Sequence, residues 1–411
     1  MRPVYLDNNA TTRVDPHVVD SMLPYFTEHF GNASSVYASQ GPVAEALATA
    51  RNRVRRLVGA EFDDEIVFTS GGTESNNLAI ATAVEAAAGR DEIVTTRVEH
   101  PAVLECCKHW AKDKGLKIRL VPVDSRGQVD VEAYRATLGS RTALVSLMLA
   151  NNETGNLSPI EMLADLAHRA GAIFHTDAVQ AVGRIPVDVG SSHVDMLSLS
   201  GHKFHGPKGV GAIYVRRGVR VHPLLQGGRQ EKGRRPGTEN VPGIVGLGAA
   251  ADLALARLPE QHTRVRELRD QLERTILERV KDCEVIGDRE HRLANTTNLA
   301  FEFVEGHELV KLLADRDIAV SSGSACSSGA IEPSHVLRAM NIPFGFSRGA
   351  IRFSLSQDND AADIDQACSA IPVYVAALRE GSPRWQRAQQ TRKSRPSIRP
   401  RALPEGPSSW L

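Results

Sequence analysis

A lysine stands within the stretch of the chain that has the strongest chemical character, residues 198–209. Lys203 follows the apolar run 194–199 and lies among histidines, glycines and hydroxyl side chains. The end of a buried strand lowers the pKa of a lysine amine, and a free amine can form a Schiff base. The alternative is a solvated lysine beside a tight turn made by Gly206, Pro207 and Gly209.

A second loop, residues 69–77, has the composition of an anion site. Its glycines let the backbone approach a ligand, Thr73 offers a hydroxyl, and the helix that follows presents free N–H groups. The loop lacks the G-x-G-x-x-G spacing and the lysine of a P-loop, so a dinucleotide or ATP is disfavoured. We expect a phosphate group here, with helix capping by Ser70 or Thr73 as the alternative.

Three further loops place polar side chains where predicted strands end: 99–101, 150–155 and 175–180. Ligands gather at the carboxyl ends of the strands in a doubly wound sheet, so these loops are expected to meet Lys203. The loops supply an imidazole, a polar amide and a carboxylate. Together with an amine and a phosphate seat, these groups are the components of a pyridoxal phosphate (PLP) site. Considered alone, Asp177 is more typical of a helix cap and His100 of a surface position.

The stretch 321–329 contains only Ser, Gly, Ala and one cysteine, Cys326. Such residues cannot form a core, so we expect the thiol on a mobile, exposed loop. Exposure suits a nucleophilic or redox thiol, because the thiolate must reach its target. A chance cysteine in a flexible loop is the alternative.

Two arginine-bearing stretches are candidate anion sites. Arg352 lies in the alternating run 351–355, where its guanidinium could bind a substrate carboxylate through two parallel hydrogen bonds. A solvent-facing arginine is equally compatible with that run. The basic loop 234–240 carries the hydroxyl of Thr238, which suits a phosphate, although the loop is also simply hydrophilic.

Composition restricts the class of protein. The chain has 411 residues, of which 42% are hydrophobic and 24% charged, as in ordinary two-domain globular proteins. Its 49 basic and 49 acidic residues cancel, so no global field recruits nucleic acid or an acidic membrane. Five scattered cysteines match neither a disulfide framework nor a paired zinc site. Without a signal-peptide pattern or a run of roughly 18 apolar residues, we expect a cytoplasmic protein.

Short apolar runs predict strands buried on both faces, at 66–68, 93–95, 118–121, 143–149, 173–175, 194–199 and 210–215. Helical patterns between several of them predict a mostly parallel seven-stranded sheet flanked by helices, an α/β fold. After residue 243, long helices and alternating runs such as 299–303 predict a smaller α+β domain with one sheet face in solvent. We therefore divide the chain into a large domain (15–260), a small domain (1–14 and 261–385) and a mobile tail (386–411).

Motifs spread over most of the chain resemble the cysteine desulfurases of the NifS/IscS type, fold-type I PLP enzymes of the class V aminotransferase group. The likeness extends from about residue 5 to residue 385, through motifs at 6–12, 70–75, 99–101, 150–155, 175–180, 200–203 and 322–326. Residues 7–14 and 99–104 are more similar to the nitrogen-fixation NifS branch than to the housekeeping IscS branch.

The resemblance implies a role for each matching residue around the cofactor ring. Lys203 would carry PLP covalently, and Asp177 would pair with the pyridinium nitrogen. Gln180 would contact the phenolic oxygen, His100 would stack on the ring, and Asn152 would help to orient it.

The resemblance also implies the phosphate and substrate ligands. The phosphate ligands would be Gly72, Thr73, Ser200, His202 and, from the second subunit of a homodimer, Thr238. Arg352, with Asn32, would hold the carboxylate of L-cysteine.

The implied reaction is the transfer of sulfur from L-cysteine to Cys326, which leaves L-alanine and an enzyme persulfide. The catalytic residues would be Cys326, Lys203 and His100, and the sulfur acceptor an iron–sulfur scaffold protein, in nitrogenase maturation. Cys326 is also the candidate metal ligand, to an iron–sulfur cluster. A housekeeping IscS-type desulfurase, a related PLP lyase such as a selenocysteine lyase, and a catalytically silent partner in a sulfur-relay complex remain alternatives.

Overall fold

A seven-stranded sheet lies at the centre of the fold in the computed structural model, which describes residues 3–35, 41–87, 89–322 and 334–394. The strands in these ranges are numbered β1 to β13: Val4–Tyr5, Ile66–Thr69, Glu92–Thr96, Lys117–Val121, Thr142–Ser146, Ile173–Asp177, Met196–Ser200, Gly211–Val215, Cys283–Val285, Thr296–Phe301, Ile318–Ala319, Ser321–Ser322 and Ala350–Ser354.

The helices of the same ranges are numbered α1 to α14: Pro16–Met22, Pro24–Thr27, Pro42–Val58, Gly72–Glu85, Pro101–Lys114, Val131–Thr137, Ile160–Arg169, Val241–Glu260, Arg266–Arg279, Gly306–Ala314, His335–Ala339, Phe344–Ser347, Ala361–Glu380 and Pro383–Ser394. Asp15 accepts a hydrogen bond from the N–H of His17 and caps α1, which begins at Pro16. Helices α4, α5 and α7 occupy the predicted helical segments between strands.

The central sheet has the strand order β2-β8-β7-β6-β5-β3-β4 and is mostly parallel, as predicted. Strand β8 is the exception, because it pairs antiparallel with both β7 and β2. Strand β5 ends at Ser146 rather than at residue 149, yet the backbone N–H groups of Leu147 and Leu149 still donate to carbonyls of β6. The predicted run therefore continues along the sheet beyond the regular strand.

Helices cover both faces of this sheet. Ile66 and Phe68 on β2 belong to a core shared with α3, α7 and α8, whereas Val67 between them belongs to a core shared with α4 and α5. Successive strand side chains point to opposite faces, so each strand contributes to both cores. The predicted α/β architecture is confirmed.

A second sheet, in the order β12-β13-β10-β9, lies in the part of the chain that follows α9. The expectation that one of its faces is solvated is wrong, since every residue of β10 and β13 is buried. Leu299 and Phe353 pack in the core that contains residues of α9 and α13. Ala300 and Ala350 pack on the other side, against α11 and the loops that follow β3 and β4.

Helix α14 begins at Pro383 and extends to Ser394. The ring of Trp385 lies 5.4 Å from that of Phe303, and the guanidinium of Arg379 lies 4.9 Å from the Trp385 ring. Residues 386–394, the first part of the predicted tail, continue this helix. Residues 395–411 lie outside the described ranges, and the division into domains stays a prediction.

One helical stretch of the described residues, Val241–Arg279, is long and apolar enough to cross a membrane by length and composition alone. Of its most apolar window, 56% is buried inside the fold, where α8 packs against α1 and α3. Burial of this kind is typical of a core helix.

Candidate active site

A cavity of about 250 Å³ lies at the carboxyl ends of β5, β6 and β7. It is lined by Gly72, Thr73, Asn76, His100, Met148, Ala150, Asn152, Asp177, Val179, Gln180, Ser200, His202 and Lys203. This set contains every predicted cofactor-binding residue except Thr238. The loops predicted to converge at the strand ends therefore do so.

Lys203 ends a single helical turn, Gly201–Lys203, directly after β7. Its Nζ donates to the backbone carbonyls of Asn9, at 2.6 Å, and Ala10, at 2.8 Å. Burial, and then the positive charges of Arg184 and Arg352, lower the pKa of Lys203 to about 8. About a tenth of this amine is therefore uncharged and nucleophilic at pH 7, far more than in an ordinary lysine.

Asp177, the last residue of β6, places a nearly buried carboxylate on the cavity wall, with 6% of its surface exposed. Its Oδ2 accepts a hydrogen bond of 2.7 Å from Nδ2 of Asn76, and its Oδ1 accepts one of 3.0 Å from the N–H of Val179. Both carboxylate oxygens are thus held in place from the protein side. A cationic ring nitrogen in the cavity is the partner that such a group can stabilise.

The N-terminus of α4 forms the candidate anion-binding site of the cavity. Its N-cap is Gly71, which provides no side-chain cap, so the alternative of capping by Ser70 or Thr73 is not realised. The N–H groups of the first turn have no intrahelical partner and are available to an anion bound in the cavity. Burial, and then the charge of Lys203, lower the pKa of His202 to about 4, so its imidazole is neutral.

His100 is the N-cap of α5 and lies on another wall of the cavity. Its Nδ1 accepts a hydrogen bond of 3.1 Å from the N–H of Ala102, and burial lowers its pKa. The neutral ring therefore carries its hydrogen on Nε2.

Glu99 fixes the same loop to the end of β5. Its Oε1 accepts hydrogen bonds from Oγ1 of Thr96, at 2.9 Å, and from the N–H of Met148, at 3.1 Å. Burial raises the pKa of Glu99 to about 8, so the carboxyl is protonated at neutral pH. Glu99 is therefore a neutral hydrogen-bonding residue and adds no negative charge to that of Asp177.

Three predicted residues do not line this cavity. Arg352 donates from Nη1 to the carbonyl of Asn152, at 2.8 Å, and from Nη2 to Oδ1 of Asp7, at 2.6 Å. Asn32 is exposed, and its Oδ1 accepts a hydrogen bond from the N–H of Ser34. Thr238 is also exposed.

The predicted nucleophile Cys326 lies outside the described residues. Within those residues, no group of three or more His, Cys, Asp or Glu side chains could hold a metal ion. The iron–sulfur ligand role of Cys326 therefore stays a prediction.

The sequence analysis did not single out three buried polar residues that contact cavity residues: Asn9, Asn76 and Arg184. A signal existed for two of them. Asn76 is an amide on the buried face of α4, and Arg184 interrupts the otherwise largely apolar stretch 178–187. A charge or amide placed in an apolar pattern indicates a specific buried partner.

Comparison with known proteins identifies the family. The model of the class V aminotransferases matches residues 4–367. Over 385 residues the chain is 59% identical to a cysteine desulfurase from Gluconacetobacter diazotrophicus, covering 94% of this chain and 96% of that protein. This chain belongs to the cysteine desulfurase family. It is also 53% identical to the cysteine desulfurase NifS of Azotobacter vinelandii, with 94% of this chain and 96% of that protein covered.

Two solved structures have the same fold as this chain. A NifS-like protein superposes with a TM-score of 0.85 at 38% identity, covering 91% of this chain and 99% of that chain. SspA in complex with cysteine superposes with a TM-score of 0.74 at 32% identity, covering 85% of this chain and 98% of that chain. The predicted fold type I is thereby confirmed.

Cysteine desulfurases of this family depend on PLP, and the cavity fits that group. It combines a buried carboxylate for the ring nitrogen, an amine of lowered pKa for the aldehyde and an uncapped helix N-terminus for the phosphate. Oδ1 of Asn76, a residue that lines the cavity, is also buried without a hydrogen-bond partner among the described residues. The predicted cofactor and enzyme class are confirmed.

Proposed function

We propose that this cysteine desulfurase converts L-cysteine to L-alanine by placing the sulfur on Cys326 as a persulfide. The observation that carries the proposal is the convergence of Lys203, Asp177 and the N-terminus of α4 on one cavity, in a chain 59% identical to a cysteine desulfurase. The sulfur would serve iron–sulfur cluster assembly in nitrogenase maturation, as the 53% identity to the NifS of Azotobacter vinelandii suggests.

The cavity residues would hold the cofactor in one orientation. Asp177 would bind the ring nitrogen, His100 would pack on the ring face, and Gln180 and Asn152 would contact the ring substituents. The phosphate would be bound by Gly72, Thr73, Ser200, His202 and, from a second subunit, Thr238. When bound, PLP supplies an electron sink that makes the Cα proton of cysteine acidic.

Lys203 and His100 would move the protons of the reaction. With a pKa of about 8, the amine of Lys203 can accept the Cα proton, and the carbonyls of Asn9 and Ala10 can then stabilise the ammonium. In His100 only Nε2 can exchange a proton with the substrate, because Nδ1 accepts the N–H of Ala102.

Cys326 would take the sulfur as a thiolate. Its Sγ attacks the sulfur of the substrate, so a new S–S bond forms while the bond between that sulfur and Cβ breaks. The electron pair of the broken bond stays on the substrate carbon, which becomes the methyl group of alanine after protonation. The persulfide is then available to an acceptor protein.

Arg352 would bind the carboxylate of the substrate together with Asn32. Its two terminal nitrogens already donate to Asn152 and Asp7, whereas its Nε is buried without a partner among the described residues. The unpaired Nε–H is therefore a donor available to a ligand, because a buried N–H group without a partner is costly.

The proposed assembly is a cytoplasmic homodimer that delivers sulfur to an iron–sulfur scaffold protein. Thr238 supports the dimer, because it is exposed and does not line the cavity of its own chain.

The test combines a product assay with variants of two cysteines. The purified protein with PLP is expected to form equal amounts of alanine and transferable sulfur from L-cysteine. Cys326→Ala should retain the visible absorbance of the cofactor and lose at least about 100-fold in sulfur transfer, as expected when a nucleophile is removed. Cys283→Ala is the matched control, because burial raises the pKa of Cys283 to about 12 and keeps that thiol protonated.

Sulfur transfer by Cys326→Ala at the wild-type rate would contradict the assignment of the nucleophile. Borohydride reduction followed by peptide mapping tests the amine separately. A cofactor adduct on a residue other than Lys203 would refute its proposed role.

A further inference from the structure

Arg184 is a buried cation beside the cavity, with 5% of its surface exposed. Its Nη1 donates to Oδ1 of Asn9, at 2.5 Å, and to Oε1 of Gln180, at 2.7 Å. Its Nη2 donates to the carbonyls of Asn8, at 2.9 Å, and Lys203, at 3.2 Å. Among the described residues it forms no ion pair, so neutral acceptors alone offset the cost of burying the charge.

The acceptors of Arg184 belong to the residues that hold the reactive amine. Gln180 and Lys203 line the cavity, and the carbonyl of Asn9 accepts a hydrogen bond from Nζ of Lys203. Nε2 of Gln180 donates to the same carbonyl, at 3.0 Å. One guanidinium therefore connects the Lys203 backbone, the Gln180 amide and the side chain of Asn9, whose backbone carbonyl binds the lysine amine.

Asn9 is held from its other side by the second sheet. Its N–H donates to Oγ of Ser354, at 2.9 Å, and its Nδ2 donates to Oγ1 of Thr296, at 3.0 Å. Nδ2 of Asn295 donates to Oδ1 of Asn9, at 3.2 Å. Asn9 thus lies at the junction of the two sheets. Arg184 binds it from the side of the central sheet.

We infer that Arg184 is a positioning residue for the reaction, which fixes the Asn9 carbonyl against the amine of Lys203 and orients Gln180 toward the cavity. The inference rests on the proposed role of Lys203 as the amine that binds the cofactor and moves the proton. Displacement of a catalytic group by about 1 Å can reduce the rate of a reaction by about 100-fold. A buried guanidinium with four acceptors restrains such displacement, because no other side chain has five donors in a fixed plane.

The charge of Arg184 has a second effect, on the proton affinity of the site. It contributes to the lowered pKa of Lys203, after burial. The other charged or titratable groups that act on Lys203 or respond to it are Arg352 on β13, Asp177 on β6, Asp7 in the N-terminal loop, His100 at the start of α5 and His202 beside Lys203. Removal of Arg184 leaves these groups in place, so a change in titration reports on the guanidinium.

The experiment compares Arg184→Met and Arg184→Lys with Arg379→Met in the full-length protein loaded with PLP. Arg379 is a matched control, since it is also 5% exposed and donates to the backbone carbonyls of Glu302, Lys281 and Asp282. Three quantities are measured for each variant: the pH midpoint of the visible cofactor absorbance, kcat and KM for L-cysteine, and the midpoint of thermal unfolding.

For Arg184→Met we expect the absorbance midpoint to rise by about one pH unit, because loss of a nearby positive charge favours the protonated form. We expect kcat to fall by at least about tenfold, with a smaller change in KM. Arg184→Lys should keep the midpoint near the wild-type value, because it retains the charge, and should lower kcat through lost hydrogen bonds. Arg379→Met should lower only the thermal midpoint.

The inference is overturned if Arg184→Met lowers the thermal midpoint as Arg379→Met does while the absorbance midpoint, kcat and KM stay at wild-type values. If Arg184→Met does not fold, Arg184→Lys decides instead, because a wild-type kcat in the lysine variant also overturns the inference. Failure of the proposed function is a different result, namely a wild-type protein that has no visible cofactor absorbance or forms no alanine from cysteine.

Discussion

A histidine beneath the candidate cofactor site illustrates how burial sets the chemistry of single residues. His175 lies two residues before Asp177 on β6, so both side chains point to the same face of the sheet. Its Nδ1 lies 2.9 Å from Oγ of Ser146 on β5, and its Nε2 lies 2.9 Å from Oγ of Ser198 on β7. Both ring nitrogens have partners, and burial lowers the pKa of His175 to about 3. The imidazole is therefore a neutral cross-link between three strands.

This neutral histidine predicts a specific loss of stability in acid. The unfolded chain binds a proton on His175 below pH 6.5, the ordinary value, whereas the folded protein binds it only near pH 3. Stability from this residue is thus complete above pH 6.5 and is lost as the pH falls toward 3, with a slope of at most about 1.4 kcal/mol per pH unit. His175→Gln should show a shallower decline in the free energy of unfolding, measured by urea titration between about pH 7 and pH 5. Equal slopes for the two proteins would show that His175 is charged in the folded state.

At the scale of elements, the site depends on how closely α4 approaches the loop after β6. A Cβ on Gly72, the first residue of α4, would lie 2.6 Å from Cγ2 of Val179. Valine is rigid about χ1 and cannot easily yield. The absence of a side chain at residue 72 therefore allows the helix N-terminus and the Asp177 loop to share one cavity.

Gly72→Ala is expected to weaken PLP binding by about 10- to 100-fold, because overpacking of this kind costs about 1–3 kcal/mol. The dissociation constant can be measured by titration of the cofactor-free protein. Gly139→Ala is the control, since a Cβ at residue 139 would have no neighbour within 4 Å. The double variant Gly72→Ala/Val179→Ala removes the clashing methyl group and should recover most of the affinity. Wild-type affinity in Gly72→Ala would mean that the helix tolerates the displacement.

At the scale of the whole molecule, the loop that carries Thr238 is fixed to its own chain by two ion pairs. Nη2 of Arg51 lies 2.6 Å from Oε1 of Glu231, and Nε of Arg235 lies 2.8 Å from Oε1 of Glu74 on α4. Thr238 itself is exposed. A rigid loop that presents a hydroxyl away from its own cavity suits the proposed contribution to a second subunit.

A mixed dimer tests that contribution. Lys203→Ala and Thr238→Ala chains are co-expressed with different tags and purified as a hybrid. One site of this hybrid carries both changes and the other carries neither if Thr238 acts across the interface, whereas each site carries one change if Thr238 serves its own chain. If Thr238 acts across the interface, the hybrid should have about half the activity of the wild-type dimer, although Lys203→Ala alone is inactive and Thr238→Ala alone is weakened. If the activity of the hybrid does not exceed half the activity of the Thr238→Ala homodimer, Thr238 serves the site of its own chain.

Much of the fold and of the candidate site was predictable from local patterns in the sequence. The β-branched runs identified all seven strands of the central sheet, because a strand buried on both faces needs a continuous apolar run. Burial on both faces was wrong for β4 alone among these seven, since it lies at the edge of the sheet and is mostly exposed. Strand-end loops identified the residues that line the cavity, because parallel strands bring their carboxyl ends to one edge. The motif around Lys203 indicated a reactive amine before any contact was known.

Contacts between distant residues were decided only by the tertiary structure. The Arg184–Asn9 connection joins positions 175 residues apart, and the expectation of a solvated face on β10 and β13 was wrong because segments from elsewhere in the chain cover it. The pKa of Lys203 likewise depends on burial and on Arg184 and Arg352, which no local pattern reports. Sequence periodicity specifies which backbone forms and which face is apolar, whereas packing decides what covers that face and which charges lose their water.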